Sequence, residues 1–176
     1  IGGFVNIGSP TIVIEELLKT DINNLTLIAN DTSKENLDKG KLITAGKVSK
    51  VITSHIGLNT ETIKQMHNKT LSVELSPQGT LIERIRAGGN GLGGILTPVG
   101  IGTSIEDGKT IINNDGKDWI LETPLRADIS LIYGTTVDTF GNVKFKGTTR
   151  NTNVIMATAA DIVIIEAEEI TDNCLD

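Results

Sequence analysis

Cysteine is almost missing from this chain, with Cys174 alone among 176 residues. One thiol cannot build an internal disulfide framework, and such sparing use fits a reducing compartment, so the expected location is the cytoplasm. Histidine is nearly as scarce. His55 and His67 lie apart, without the Cys or carboxylate spacing of a zinc site, so no metal is expected. Positive charge is in deficit: 16 Lys and Arg stand against 22 Asp and Glu, for a formal net charge of −6. That balance argues against a nucleic-acid partner, whose phosphates are bound through excess Lys and Arg. No apolar run approaches the roughly 18 residues that span a bilayer, so no membrane association is expected. A charged leader and a signal-like apolar segment are also lacking, and the chain begins at Ile1, so both ends are expected to be incomplete.

What is present fits one globular domain over residues 1–176, with 38% apolar and 22% charged residues. The most informative stretch is Gly2-Gly3-Phe4-Val5-Asn6-Ile7-Gly8-Ser9-Pro10, which runs directly into an apolar-periodic segment, Thr11 to Lys19. Its glycines allow close backbone approach and positive φ, Ser9 can cap a helix, and Pro10 can open one. The first N–H groups of that helix would then face an anion lying in the turn. A tight strand-to-helix turn without a ligand fits the same residues.

The remaining chain alternates strand and helix patterns. Ile1 is expected to end a buried strand, and Leu25 to Asn30 reads as the next. A weak helix over Glu35 to Ala45 precedes a strand at Lys50 to Ser54, and a helix over Thr60 to Asn68 precedes a strand at Leu71 to Leu75. From Thr80 a helix face of Leu81, Ile82 and Ile85 turns Arg84 and Arg86 outward and ends at Gly88. This rhythm predicts an α/β fold, a mostly parallel sheet flanked by helices, with its ligand crevice at the carboxyl ends of the strands. The glycine turn, Asn30 and Gln78 all fall at such ends. Beyond the Thr97 to Thr103 loop, Lys109 to Ile112 and Asp118 to Glu122 flank an Asp-Gly turn and predict a β-hairpin insert. Asp128 to Tyr133 and Asp161 to Ile165 read as buried strands, Thr149 to Asn153 as a loop, and the acidic run from Glu166 to Glu169 as a solvated strand end.

A literal G-x-G-x-x-G occurs at Gly89 to Gly94, but it follows a helical pattern and enters no helix, so a dinucleotide cofactor does not follow from it. Neither Cys174 nor any carboxylate pair has the setting of a nucleophile or an acid/base couple. The residues offer a binding crevice without a self-evident reactive group.

The opening Gly2-Gly3-Phe4 with Gly8 and Pro10 resembles the G-G-F-x-x-x-G-x-P signature of the small, alpha subunits of the family I coenzyme A transferases that act on acetate, butyrate and acetoacetate. The resemblance continues through Leu25 to Asp31, Pro77 to Leu81 with Glu83 to Arg86, Gly88 to Gly94, Leu125 to Asp128 and Arg150-Asn151. It implies that a glutamate attacks acyl-CoA and that a glutamyl-CoA thioester forms on the enzyme. In that family the glutamate lies in a Ser-Glu-Asn-Gly motif of the beta half, and this chain has no such motif. The nucleophile is therefore expected on a beta subunit, in an alpha2beta2 assembly. No cofactor is bound permanently, coenzyme A and short-chain carboxylates being the substrates. By the same resemblance Gly2, Gly3, Phe4, Val5, Asn6, Ile7 and Gly8 contact CoA, Gln78 contributes to an oxyanion hole, and Asn30 is a further polar contact. Thr152 departs from the family, which has an aromatic residue between the two asparagines at this point. Competing readings are a sugar-phosphate isomerase or deaminase of related fold, and a non-catalytic acyl-CoA-binding module.

Overall fold

The structure is a computed structural model describing residues 1–175. Helix α1 (Thr11–Lys19) leads into the parallel strands β1 (Leu25–Ile28), β2 (Val48–Thr53) and β3 (Ser72–Leu75), in spatial order β1-β2-β3. Crossovers carrying α2 (Gly40–Thr44) and α3 (Thr60–His67) separate them, the connection that parallel pairing requires. Asn59 caps α3 by accepting from the Thr62 amide at 3.0 Å. Ile14, Leu27, Leu42, Ile43, Val51 and Leu71 close the first core between α1, α2 and this sheet.

Helix α4 (Gln78–Gly89) follows, then an antiparallel sheet of β4 (Ile95–Thr97), β5 (Thr110–Asn114) and β6 (Lys117–Glu122) in order β4-β6-β5. The β5–β6 hairpin is the expected insert. Asp115 and Gly116 both take positive φ, 52° and 74°, which the right-handed twist of paired strands favours in a two-residue turn. A third sheet is built on β7 (Ala127–Asp138), which pairs in parallel with β9 (Ala160–Thr171) and antiparallel with the short β8 (Val143–Lys144). Helix α5 (Asn153–Thr158) packs with α4 against it, where Leu81, Ile85, Ile132, Ile155 and Met156 form a second core.

The α/β class, the parallel sheet and the hairpin are therefore as expected, while the strands divide among three sheets of three. An apolar groove of about 390 Å³ lies between β1 and β7 and is lined by Leu25, Leu27, Ile129 and Leu131. Ile1 is not in a strand. Its nitrogen donates to Ile28 O at 2.8 Å and the Gly2 amide to Leu131 O at 2.9 Å, so the chain crosses from one sheet to the other at this point.

Four further expectations change. The first part of β9, Asp161 to Ile165, is not a buried strand, since Ile162, Val163 and Ile164 are exposed. Arg84 points inward, 5% exposed, because Glu74 Oε1 at 2.8 Å and the Thr123 carbonyl at 2.9 Å supply partners inside. The helix after β3 begins at Gln78 and closes at Asn90, with Gly91 in the left-handed region at φ 69°. Gly88 lies within that helix, where an added Cβ would stand 2.0 Å from the Leu125 carbonyl. Thr149 to Asn153 is also more ordered than its polarity suggests, since a 3₁₀ turn over Gly147–Arg150 runs into α5.

Candidate functional site

The opening glycine stretch folds as a small hairpin beyond the carboxyl end of β1, tied to the first half of β7 through the Gly2 amide and Leu131 O. Phe4 and Ile7 exchange backbone hydrogen bonds at 3.0 and 2.9 Å, leaving Val5 and Asn6 as the turn. Val5 has φ 53°, a conformation that a β-branched residue adopts only when its surroundings impose it. Two buried charged groups do so. The Asp31 carboxylate accepts from the Val5 amide at 2.8 Å, and the Lys39 ammonium donates to the Val5 carbonyl at 2.7 Å. Lys39 is fully buried, 2.8 Å from Asp38 and 3.8 Å from Asp31, while Asp38 accepts from Ser9 Oγ at 2.6 Å. Burying an ammonium is tolerable only with such partners.

The far side of the hairpin rests on the segment before α5. Asn151 Nδ2 donates to the Ile7 carbonyl at 2.9 Å, Asn153 Nδ2 to the Gly8 carbonyl at 2.8 Å, and Thr152 Oγ1 to the Gly3 carbonyl at 3.2 Å. The glycines are what let these segments touch. An added Cβ would meet Asn153 Oδ1 at 1.9 Å from Gly2 and the Thr149 carbonyl at 2.4 Å from Gly8. Sequence reading assigned no role to this support; the alternation of amide side chains in Asn151-Thr152-Asn153 was the available signal.

Helix α1 does not present its N-terminus to a ligand. The Ile12 and Val13 amides are occupied by the Glu166 carboxylate, at 2.7 and 3.0 Å, so the anion held there is the chain's own. Glu166 is thus a half-buried anchor between β9 and α1, and Ser9 bonds Asp38 instead of capping the helix.

The glycine turn, Asn30 and Gln78 converge as expected, although only Asn30 and Gln78 follow strands. Phe4, Asn30 and Gln78 line a cavity of about 610 Å³, together with Ile95, Leu96 and Val99 from the β4 region. Gln78, the first residue of α4, donates from Nε2 to Asn30 Oδ1 at 2.7 Å. Asn30 is fixed in turn, its Nδ2 donating to Asp31 Oδ2 at 3.0 Å and its backbone carbonyl accepting from Ser54 Oγ at 2.6 Å. Gly2, Gly3 and Gly8 are buried behind the cavity, Val5 is half-buried, and Asn6 and Ile7 are exposed on the hairpin. Among the residues lining the cavity the one carboxylate is Glu83, exposed and paired with Arg86 at 3.1 Å. Chemically, the wall offers neutral amide donors beside an apolar surface.

Among the described residues no group of three or more His, Cys, Asp or Glu side chains could hold a metal ion, and no helix is long and apolar enough to cross a membrane.

Comparison with known proteins agrees along the whole chain. A family model for coenzyme A transferase matches residues 1–174. The acetoacetyl-CoA:acetate/butyrate CoA transferase alpha subunit of Clostridium acetobutylicum is 55% identical over 170 residues, 97% of this chain and 78% of that protein. The acetate CoA-transferase subunit alpha of Escherichia coli is 50% identical over 172 residues, 98% of this chain and 78% of that one. Glutaconate coenzyme A-transferase of Acidaminococcus fermentans has the same fold, with a TM-score of 0.83 at 20% identity over 97% of this chain and 61% of that one. An acyl-CoA transferase of Escherichia coli O157:H7, solved as a thioester complex with CoA, gives a TM-score of 0.84 at 21% identity over 97% of this chain and 38% of that one. With a family model spanning nearly every residue and relatives at half identity or better, the chain belongs to the coenzyme A transferase family of enzymes.

Proposed function

We propose that this chain is the alpha subunit of an enzyme that transfers coenzyme A between a short-chain acyl-CoA and acetate, butyrate or acetoacetate. It acts in the cytoplasm as an alpha2beta2 assembly and binds no permanent cofactor. A beta-subunit glutamate carboxylate attacks the acyl-CoA carbonyl carbon and expels the CoA thiolate, leaving an acyl-glutamyl anhydride. The thiolate then attacks the glutamyl carbonyl, the acyl carboxylate departs, and the glutamyl-CoA thioester remains for the incoming acid. Each addition builds negative charge on a carbonyl oxygen, which neutral donors already in place stabilise best.

The observation that carries this reading is the Gln78–Asn30 amide pair, 2.7 Å apart on the wall of a cavity that holds no acid/base couple of its own. Gln78 Nε2 has a second N–H without a partner among the described residues, and in this reading it is the oxyanion donor. Asn30 is a further polar contact, and the hairpin from Gly2 to Gly8 meets CoA through its exposed Phe4, Asn6 and Ile7, with Val5 and the glycines shaping the backbone. An isomerase, a deaminase or an acyl-CoA-binding module would work without a second chain.

The test is to assay CoA transfer from acetoacetyl-CoA to acetate with the chain alone and with its beta partner, and to measure the mass of the complex. Transfer is expected only with the partner. Turnover by the chain alone, or none by the complex, overturns the reading. Within the active complex, Gln78→Ala is expected to lower kcat roughly a hundredfold or more, the usual cost of one oxyanion donor.

A further inference from the structure

We propose that Asp31 is a positioning residue that sets the hydrogen-bond polarity of the Asn30–Gln78 pair and so decides which end of the Gln78 amide meets the substrate. This rests on the reading of Gln78 as an oxyanion donor and adds what makes it a donor. A carboxamide has two ends of nearly equal shape and opposite function, and its orientation is dictated by its partners. An ionised carboxylate can only accept. Asp31 Oδ2, 3.0 Å from Asn30 Nδ2, therefore obliges Asn30 to turn its NH₂ toward it and its carbonyl oxygen away. That oxygen, 2.7 Å from Gln78 Nε2, in turn obliges Gln78 to present its NH₂, which has a second hydrogen to give.

The carboxylate is itself locked in place. Asp31 is 2% exposed, its Oδ1 accepts from the Ser33 amide at 2.8 Å, its Oδ2 also accepts from the Val5 amide at 2.8 Å, and the Lys39 ammonium stands 3.8 Å away. One buried group thus holds the glycine hairpin and fixes the direction of the amide chain. Were Asp31 an amide, the Lys39 ammonium and the Ser33 N–H would hold its oxygen on the Oδ1 side, so its NH₂ would take the Oδ2 side and face the Asn30 NH₂ and the Val5 N–H. The relief open to Asn30 is to flip, and Gln78 would then flip too and offer its oxygen to a developing negative charge.

The experiment is a double-mutant cycle of Asp31→Asn with Gln78→Ala in the complete alpha-beta enzyme, reading kcat and KM separately. Asp31→Asn is expected to lower kcat by at least roughly tenfold and to have no further effect on kcat once Gln78 is Ala, whereas any rise in KM for acyl-CoA through the Val5 turn persists in that background. An unchanged kcat, or a loss that multiplies in full with that of Gln78→Ala, overturns the relay while leaving the oxyanion reading intact. No effect of Gln78→Ala overturns that reading itself. If Asp31→Asn does not assemble, Asn30→Leu interrupts the same chain while keeping the contacts of Asp31 to Val5 and Ser33. Its loss in kcat is expected to be smaller in the Gln78→Ala background, where only the direct contact of Asn30 is left to lose, and full multiplication again overturns the relay.

Discussion

The two glycine-rich stretches, Gly2 to Gly8 and Gly88 to Gly94, differ in what surrounds them. The first is gripped from both sides, by Asp31 and Lys39 at Val5 and by Asn151, Thr152 and Asn153 along its carbonyls. The second ends a helix in which Gly88 and Gly89 pack on Leu125 and Thr158, and it opens to solvent at Gly91 and Gly93, where an added Cβ would meet nothing within 4 Å, before Gly94 closes on the Glu122 carbonyl. Only the second spells the dinucleotide fingerprint, and its setting lacks the strand and helix that give those glycines work to do. Glycine spacing by itself therefore says little. Glycine becomes informative when another segment needs the space its missing side chain leaves.

That contrast can be broken or sharpened by urea denaturation of variants. The largest effect is expected from Lys39→Met, which strands the buried Asp31 and Asp38 carboxylates and should cost about 3–5 kcal/mol, as losing one partner of a buried ion pair does. A loss below about 1 kcal/mol would show that the hairpin does not depend on this clamp. Gly8→Ala adds a methyl 2.4 Å from the Thr149 carbonyl at φ 64°, and about 2–3 kcal/mol is expected from overpacking and left-handed strain together. Glu166→Ala, which frees the Ile12 and Val13 amides, should cost about 1 kcal/mol. Gly93→Ala should stay within about 0.5 kcal/mol, and a cost like that of Gly8→Ala would remove the distinction between the two stretches.

Much of the fold was legible because its signals are local. Leu25 to Ile28 is a mostly apolar run, Val48 to Thr53 is rich in β-branched residues, Ser72 to Leu75 alternates polar and apolar, and Asn59 caps α3 by a bond within its own first turn. The Asp115-Gly116 hairpin turn needs nothing from outside the hairpin. Arg84 was misplaced because its helical position is decided by Glu74 and by the Thr123 carbonyl, which lie 10 and 39 residues away. Glu166 was misjudged for the same reason, its partners in α1 lying more than 150 residues distant.

The sequence alone determined the α/β alternation, the family signature from Gly2 to Pro10, and the lack of a Ser-Glu-Asn-Gly nucleophile motif, because each is a matter of residue type and short spacing. Tertiary structure alone decided that the α1 N-terminus is filled by Glu166, that Lys39 is buried under the Val5 turn, and that Asp31, Asn30 and Gln78 form one directed chain of hydrogen bonds. Those facts depend on which distant groups meet at distances below about 3 Å, and a hydrogen bond's direction is fixed only when both partners are in place.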